Sequence, residues 1–158
     1  MNKLRFRSGQ VQLRKLRVDA NSQVTPGDLL WLDGNVARPA SEFAWDTDLA
    51  TTQGSFASEF VGIAHQASGV GETLPVSVDV GTQSVYEMDV SPAAYEFGQP
   101  LGPDENLSTL MNKQLETCLA TNAIARSAEF TAGTVATLRV TFASAFSTSS
   151  SNSQAAVG

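Results

Sequence analysis

Residues that could perform catalysis are few in this chain, and none has a partner close by in the sequence. The 158 residues contain one histidine, His65, and one cysteine, Cys118. A serine or cysteine nucleophile needs a base within hydrogen-bonding reach, and neither His65 nor Cys118 has an evident helper. A single cysteine also excludes an internal disulfide and a multi-cysteine zinc site. The sequence therefore predicts a protein that is not an enzyme.

Two motifs that could bind ions are both incomplete. Asp46, Asp48 and Glu42 could offer oxygen atoms to calcium, but no glycine-containing acidic loop of the EF-hand type surrounds them. The glycines in residues 69–71 and 98–102 do not form a phosphate loop, because both segments lack the Lys-Ser/Thr ending and the helix that should follow. We therefore expect no metal ion and no cofactor.

Charge is distributed unevenly along the chain. The first 17 residues carry six basic side chains and no acidic one, whereas residues 18–158 carry 4 basic and 16 acidic groups. A cationic segment on an anionic protein is typical of an arm that binds an acidic surface. We therefore predict a basic N-terminal arm over residues 1–18. Its partner-binding residues are Lys3, Leu4, Arg5, Phe6, Arg7, Arg14, Lys15 and Arg17.

Three roles for this arm are compatible with the sequence. In the first, the arm leaves its own domain and pairs with a sheet edge of a neighbouring protein, with Leu4 and Phe6 in apolar pockets. In the second, it is a solvated edge strand whose basic side chains prevent sheet-to-sheet aggregation. In the third, it binds nucleic acid, although the acidic body repels phosphate and Phe6 is the arm's only aromatic residue. We favour the first role and do not expect nucleic acid as a partner.

Hydrophobic residues alternate with polar ones over much of the chain, which indicates β-strands. The alternation is clear at residues 74–80, 86–90 and 136–142. Residues 81–84 supply a turn between the first two of these strands, so we expect a hairpin there. A second hairpin is predicted at residues 29–38, which have a Gly-Asn turn in the middle.

Residues 107–119 break this pattern. The turn-rich residues before position 107 could cap a helix. The residues that recur at helical spacing are Leu107, Leu110, Met111, Leu115, Cys118 and Leu119. One helix near 107–120 and a pair of strands are both compatible with this segment. In either case we expect Cys118 to point into a small core.

An internal sequence repeat suggests two copies of one β unit. The matched blocks are Gly27 to Val36 with Gly98 to Leu107, Ile63 to Ala67 with Ile124 to Ala128, and Gly71 to Val78 with Gly133 to Val140, so that residues 75–78 meet residues 137–140. The blocks occur in the same order in both halves, as expected for an internal duplication. Neither copy has enough strands for a core of its own. We therefore predict an all-β fold, a single β-barrel or β-sandwich domain over residues 19–142 with repeats at 24–80 and 95–142, preceded by an extended arm.

The remaining composition favours a protein held in an assembly. Charged residues make up 16% of the chain, below the roughly 25% that is usual for soluble domains. Residues 143–158 are uncharged and rich in serine, so we expect a flexible tail. No segment approaches the roughly 18 apolar residues of a membrane span, and the start lacks the apolar core of a signal peptide. We expect no membrane partner and synthesis in the cytoplasm.

Four short segments combine turns and alternating strands in a pattern that is similar to that of a known protein family. They are Pro26-Gly27-Asp28-Leu29-Leu30-Trp31-Leu32-Asp33-Gly34, Phe60-Val61-Gly62-Ile63-Ala64, Gly71-Glu72-Thr73-Leu74-Pro75-Val76-Ser77-Val78 and Val85-Tyr86-Glu87-Met88. Together they resemble the capsid decoration (cement) proteins of tailed bacteriophages. The resemblance implies a virion protein without enzymatic activity that sits on the outside of the head, often as a homotrimer, and clamps neighbouring subunits of the major capsid protein.

The resemblance covers residues 24–142 and does not include the basic start. That the arm grips the capsid is therefore our hypothesis, based on its charge. An alternative function is a carbohydrate- or peptide-binding β module, which predicts that Trp31 or Trp45 is exposed.

Overall fold

The structure is a computed structural model that describes residues 2–147, and it is built mainly of β-strands. The all-β class predicted from the alternation is confirmed. Within the described residues the strands are β1 (Phe6–Gly9), β2 (Leu13–Leu16), β3 (Leu29–Asp33), β4 (Val36–Pro39), β5 (Phe60–Ala64), β6 (Val76–Asp79), β7 (Ser84–Ala93), β8 (Pro100–Glu105), β9 (Leu110–Thr117), β10 (Ala125–Ser127) and β11 (Val135–Phe142). One α-helix, α1 (Leu49–Glu59), and two 3-10 turns, Ala40–Glu42 and Ala120–Asn122, complete the fold.

Two units with the same topology follow one another along the chain. In the second unit, residues 84–142, the strands run in the order β7-β11-β10-β8-β9, and β9 returns to pair with β7 in parallel, which closes a five-stranded barrel. In the first unit, residues 13–79, the order is β2-β6-β5-β3-β4. A parallel bridge between Val18 and Ala37 brings the chain after β2 beside β4, which is the equivalent closure.

Backbone hydrogen bonds at several equivalent positions repeat in the two units. The Gly27 N–H donates to the Ala64 carbonyl over 2.8 Å, and the Gly98 N–H donates to the Ser127 carbonyl over 2.8 Å. Both glycines have positive φ, +97° and +81°, a conformation that costs little without a side chain. The two units therefore share one topology, and each begins with a strand, β2 or β7, that lies before residue 24 or 95.

The structural alignment of the two units agrees with the sequence match at residues 75–78 and differs from it at Ile63. Residues 75–78 and 137–140 are equivalent, as matched in the sequence, because β5–β6 and β10–β11 pair in the same register. In contrast, Leu30 faces Gly62 and Leu101 faces Ala125. The residue equivalent to Ile124 is therefore Val61 rather than Ile63, two positions away from the sequence match.

Each unit has an apolar interior, and the second interior extends into the junction between them. The interior of the first unit consists of Val18, Val24, Leu30, Ala37, Val61, Ala64, Val76 and Val78. The larger cluster fills the second barrel and also includes Leu29, Phe56, Phe60 and Ile63 of the first unit. The units therefore share one continuous apolar contact.

Helix α1 fastens the first unit to the second, and the sequence analysis did not predict it. Its N-cap is Asp48, whose carboxylate accepts from the Thr51 N–H over 2.8 Å. Gln53 on its buried face donates to the Pro103 carbonyl of β8 over 2.9 Å. From the second unit, Asn122 donates to the Ala50 carbonyl over 3.0 Å.

Residues 107–120 do not form a helix. Residues 110–117 are strand β9, and the apparent helical spacing comes from an irregular register. Leu110 faces Glu105 whereas Leu115 faces Pro103, so β9 advances further than β8 between these two pairs. This bulge lets both leucines reach the core although they are five positions apart, a spacing that would place them on opposite faces of a regular strand. Cys118, expected in a small core, is half-buried just after the strand.

One predicted hairpin is confirmed and the other is wrong. β3 and β4 form the expected hairpin, with Gly34 at a φ of +62° in its turn. β6 and β7 do not pair with each other, because β6 lies between β2 and β5 in the first unit while β7 belongs to the second. Residues 80–83 are therefore the connection between the units.

The Ser-rich tail predicted for residues 143–158 falls mostly outside the described residues. Its first part is packed against the body, since Ser144 and Ala145 are buried. The Ser147 hydroxyl donates to the Val80 carbonyl over 3.0 Å. Residues 143–147 therefore belong to the folded body.

A glycine-to-alanine pair tests the close approach of β5 to β6. A Cβ on Gly62 would lie 2.1 Å from the Asp79 carbonyl oxygen, whereas a Cβ on Gly133 would meet nothing within 4 Å. We expect Gly62→Ala to lower the free energy of unfolding by about 2 kcal/mol or more and Gly133→Ala to change it by less than about 0.5 kcal/mol. Urea unfolding followed by circular dichroism measures both, and equal effects would contradict the register described for β5.

Candidate partner-binding site

The basic N-terminal arm is extended but lies on its own domain. β1 pairs with β7, so that Phe6 faces Tyr86 and Ser8 faces Val85, and the Glu87 N–H donates to the Arg5 carbonyl over 2.9 Å. β2 is the edge strand of the first unit. Of the three roles considered for the arm, the edge strand is the arrangement adopted by the single chain.

Acidic residues on β7 neutralise the basic residues of β1. Arg5 donates to Asp89 over 2.8 Å and to Glu87 over 3.3 Å, while Lys3 lies 2.5 Å from Asp89. Arg7 makes a longer ion pair with Glu87, at 3.4 Å. Burial alone would raise the pKa of Asp89, but hydrogen bonds from Lys3 and Arg5 outweigh it and lower that pKa.

The two apolar residues of the arm point the other way, toward the core. Leu4 packs against the larger apolar cluster, and the Phe6 ring meets the Tyr86 ring edge-on with centroids 5.8 Å apart. β1 therefore lies with its apolar face against the body and its charged face on the other side, as expected for a strand whose side chains alternate. The arm finds on its own body the sheet edge and the acids that the sequence analysis expected on a neighbour.

The three basic residues of β2 and its C-terminal extension are placed differently. Arg14, Lys15 and Arg17 are exposed, and none of them makes an ion pair within residues 2–147. Arg14 donates to the Leu13 carbonyl over 3.1 Å and Lys15 to the Gln66 amide oxygen over 3.1 Å. Partner binding by the eight arm residues stays a prediction. Of the six basic side chains of the arm, Arg14, Lys15 and Arg17 are the three that have no acidic partner in the described structure.

A buried polar network joins the two units around Asp79. One Asp79 oxygen accepts from the hydroxyls of Ser84 and Tyr86, each over 2.6 Å, and the other accepts from the backbone N–H groups of Gln12 and Gly81. Burial would raise the pKa of Asp79, but these hydrogen bonds outweigh it and lower that pKa. The carboxylate is therefore held in its charged form.

His65 completes this network without forming a catalytic triad. Its Nε2 lies 2.6 Å from the Tyr86 hydroxyl, so the tyrosine stands between the imidazole and Asp79. Ser84, a serine of the same network, is buried and donates to Asp79 instead of to His65. Burial lowers the pKa of His65 despite the nearby Asp79 charge. These hydrogen bonds fix the positions of His65, Tyr86 and Ser84 where the two units meet.

Cys118 is equally unsuited to nucleophilic chemistry at neutral pH. Burial, assisted by the charge of Glu116, raises the pKa of its thiol to about 12. Its Sγ donates to the neighbouring Leu119 carbonyl over 3.3 Å.

The acidic residues weighed as a calcium site serve other purposes. Asp48 caps α1, and Asp46 accepts from the Thr47 hydroxyl over 2.9 Å. Glu42 accepts from Arg38 over 3.1 Å and from Ser22 over 2.8 Å. Within residues 2–147 no group of three or more His, Cys, Asp or Glu side chains is arranged to hold a metal ion.

Large apolar side chains are exposed on the loops of both units, which the sequence analysis did not single out. Phe97 is 75% and Phe130 62% exposed, and their segments hydrogen bond to each other where the Thr131 N–H donates to the Tyr95 carbonyl. In the first unit, Val70 and Leu74 are exposed on the loop between β5 and β6. The sequence signal that could have identified these exposed side chains is a phenylalanine in a segment rich in turn residues.

The two tryptophans lie at the rim of the larger apolar cluster. Trp31 and Trp45 are half-buried against it. The Trp31 ring meets the Phe43 ring edge-on, with centroids 4.9 Å apart, and its indole N–H donates to the Pro39 carbonyl. Trp31 therefore has its polar atom and much of its ring engaged within the fold.

Comparison with known proteins gives no family for this chain. No protein-family model matches it, and a search of curated proteins found no match to its sequence. Among the described residues, no helix is both long enough and apolar enough to pass through a membrane.

The ion pairs of β1 predict that charge reversal on β7 releases the arm. In a Glu87→Lys/Asp89→Lys variant, Lys3, Arg5 and Arg7 face like charges, so β1 should detach while the barrel stays folded. We expect trypsin to cleave after Arg5 or Arg7 about tenfold faster, since the lost pairs contribute about 1.4 kcal/mol to local closure. Mass spectrometry of early fragments measures this rate. The matched control is Glu59→Lys/Glu96→Lys, which makes the same charge change on exposed residues, and equal cleavage in both variants would contradict the docking.

The lowered pKa of His65 predicts a contribution of this residue to the pH dependence of stability. Because its folded pKa lies below the unfolded value of 6.5, the unfolded chain binds protons that the folded chain does not, and stability falls as the pH drops below 6.5. His65 is the only histidine, so a His65→Gln variant should lose the slope between pH 7 and pH 5.5. Urea midpoints across this range measure it, and an unchanged slope in the variant would refute the assignment.

Proposed function

We propose that this chain is a structural virion protein that binds the outside of a tailed-phage capsid and stabilises contacts between major capsid subunits. The observation that carries the proposal is the exposure of Phe97 and Phe130 on two loop segments that hydrogen bond to each other. Exposed aromatic side chains on a fixed surface are typical of protein-binding sites. The sequence resemblance to cement proteins supplies the class of partner.

The rigidity of the body supports this function. A protein that clamps a shell must resist local opening, and two barrel-like units with a shared apolar contact offer few weakly held segments. The charged and nucleophilic side chains that catalysis would require, Asp79, His65 and Ser84 among them, are engaged in the junction. We therefore assign the exposed loops, and not the polar junction, as the functional surface.

A homotrimer on a threefold position of the capsid is part of the proposal. Three copies would present three sets of exposed loops and reach several capsid subunits at once, which multiplies weak contacts. The net charge of −6 disfavours DNA as the partner, because phosphates would be repelled.

Reconstitution on phage heads tests the function. Heads are isolated from a phage in which the gene is deleted, purified full-length chain is added, and bound protein is measured by co-sedimentation. We expect saturable binding and a higher temperature of DNA release. A Phe97→Ser/Phe130→Ser variant should bind at least tenfold more weakly, because two anchors of an apolar contact are lost.

The control is Leu107→Asn, which also removes an exposed apolar side chain but beyond the opposite end of β8. We expect it to bind like the unmodified chain. Failure of the unmodified chain to co-sediment, or equal loss in both variants, would overturn the proposal. Binding to glycan arrays in place of heads would support the carbohydrate-binding alternative.

A further inference from the structure

The duplication makes β2 the counterpart of β7. Lys15 faces Ser77 on β6, and Glu87 faces Arg139 on β11. Ser77 and Arg139 are equivalent, since their carbonyls accept the same backbone bond, from His65 and from Ala128 respectively. Lys15 is therefore equivalent to Glu87.

One edge of β7 is covered, and the equivalent edge of β2 is open. β1 occupies the β7 edge at residues 84–86. Within residues 2–147, β2 itself pairs only with β6, and contact with β4 begins beyond its end, where the Ala37 N–H donates to the Arg17 carbonyl. The Val80 N–H donates to the Gln12 carbonyl, and bonding in an antiparallel ladder alternates. The N–H and C=O groups of Leu13 and Lys15 therefore point away from β6, toward the position that a further strand would take. Of these groups, the Leu13 carbonyl accepts from the exposed Arg14 side chain, which such a strand would displace.

The β7 edge and the β2 edge carry charges of opposite sign at equivalent positions. Glu87 and Asp89 on the covered edge receive Lys3, Arg5 and Arg7 of β1. The equivalent positions on the open edge are Lys15 and Arg17, both exposed. Leu13 beside them is 42% exposed. A strand that completes this edge in the manner of β1 must carry acidic side chains at alternate positions.

We propose that the open edge of β2 binds an extended acidic segment of another protein by adding a strand to the first unit. The acidic side chains of that segment, spaced two residues apart, pair with Lys15 and Arg17, as the basic side chains of β1 pair with Glu87 and Asp89. The inference holds for any protein partner and does not require that the partner be a capsid subunit.

The occupant is not another part of this chain. Its own N-terminal segment is basic and already lies on β7, and residues 148–158 contain no charged side chain. Basic side chains on an edge strand also disfavour pairing between two copies of β2. The same charges that prevent self-pairing select an acidic partner.

Synthetic peptides test this proposal on the full chain. The probe has the sequence of residues 2–9 with glutamate in place of Lys3, Arg5 and Arg7, so it imitates β1 with its charge reversed. Two control peptides are the unmodified residues 2–9 and a copy of the acidic probe with N-methyl groups on alternate backbone nitrogens. The methylated copy keeps the charge of the probe but cannot complete a strand ladder.

We expect the acidic probe to shift the amide NMR signals of residues 13–17 and to bind at least tenfold more tightly than either control. A Lys15→Glu/Arg17→Glu chain should lose this binding at least tenfold, while an Arg139→Glu chain, altered on an exposed residue of β11, should keep it. Equal binding of the methylated and unmethylated acidic peptides would overturn the proposal, because charge alone would then explain the contact.

Three other results would also overturn it. These are displacement of β1 from β7 by the probe, tighter binding of a single-stranded oligonucleotide than of the probe at residues 13–17, and dimerisation through this edge at the concentrations used. Failure of the head-binding experiment with intact peptide binding would leave this inference standing and reject only the capsid function.

Discussion

The carboxylate of Asp79 is the interaction on which the arrangement of the two units depends. It accepts hydrogen bonds from Gln12 before β2, from Gly81 in the connection, and from Ser84 and Tyr86 on β7. A buried carboxylate with fewer donors would favour protonation or exposure. The four donors therefore fix where the chain leaves the first unit and enters the second.

Aromatic side chains extend this junction through the molecule. Phe56 meets Phe60, Phe60 meets Phe142, and Phe142 meets Tyr86, with ring centroids about 6 Å apart in each pair. Single cores of fewer than about 70–80 residues rarely supply much stability, so the shared contact matters to both units. Lys113 of the second unit adds an ion pair with the buried Asp28 of the first.

Sequence patterns predicted the elements that depend on local rules. The Gly34 turn and the alternation in β11 appear as expected, because turn conformation and strand period are written in neighbouring residues. For residues 110–117 the sequence left a helix open as an alternative to strands. The reason is that a bulge against β8 spaces the apolar residues as a helix would. Helix α1 was missed because its residues form no strong apolar stripe, although Asp48 was a usable N-cap signal. That Glu87 and Asp89 would receive the arm depended on long-range strand pairing that no local pattern encodes.

The docking of β1 on β7 also fixes an order of events during synthesis. Arg5 and its partner Glu87 are separated by 82 positions in the chain, so β1 must wait for β7, which is synthesised later. The first unit ends at Asp79 and is translated in full before β7 begins. Docking of β1 is therefore a late, non-local step, and its completion reports that β7 has been made and is in place.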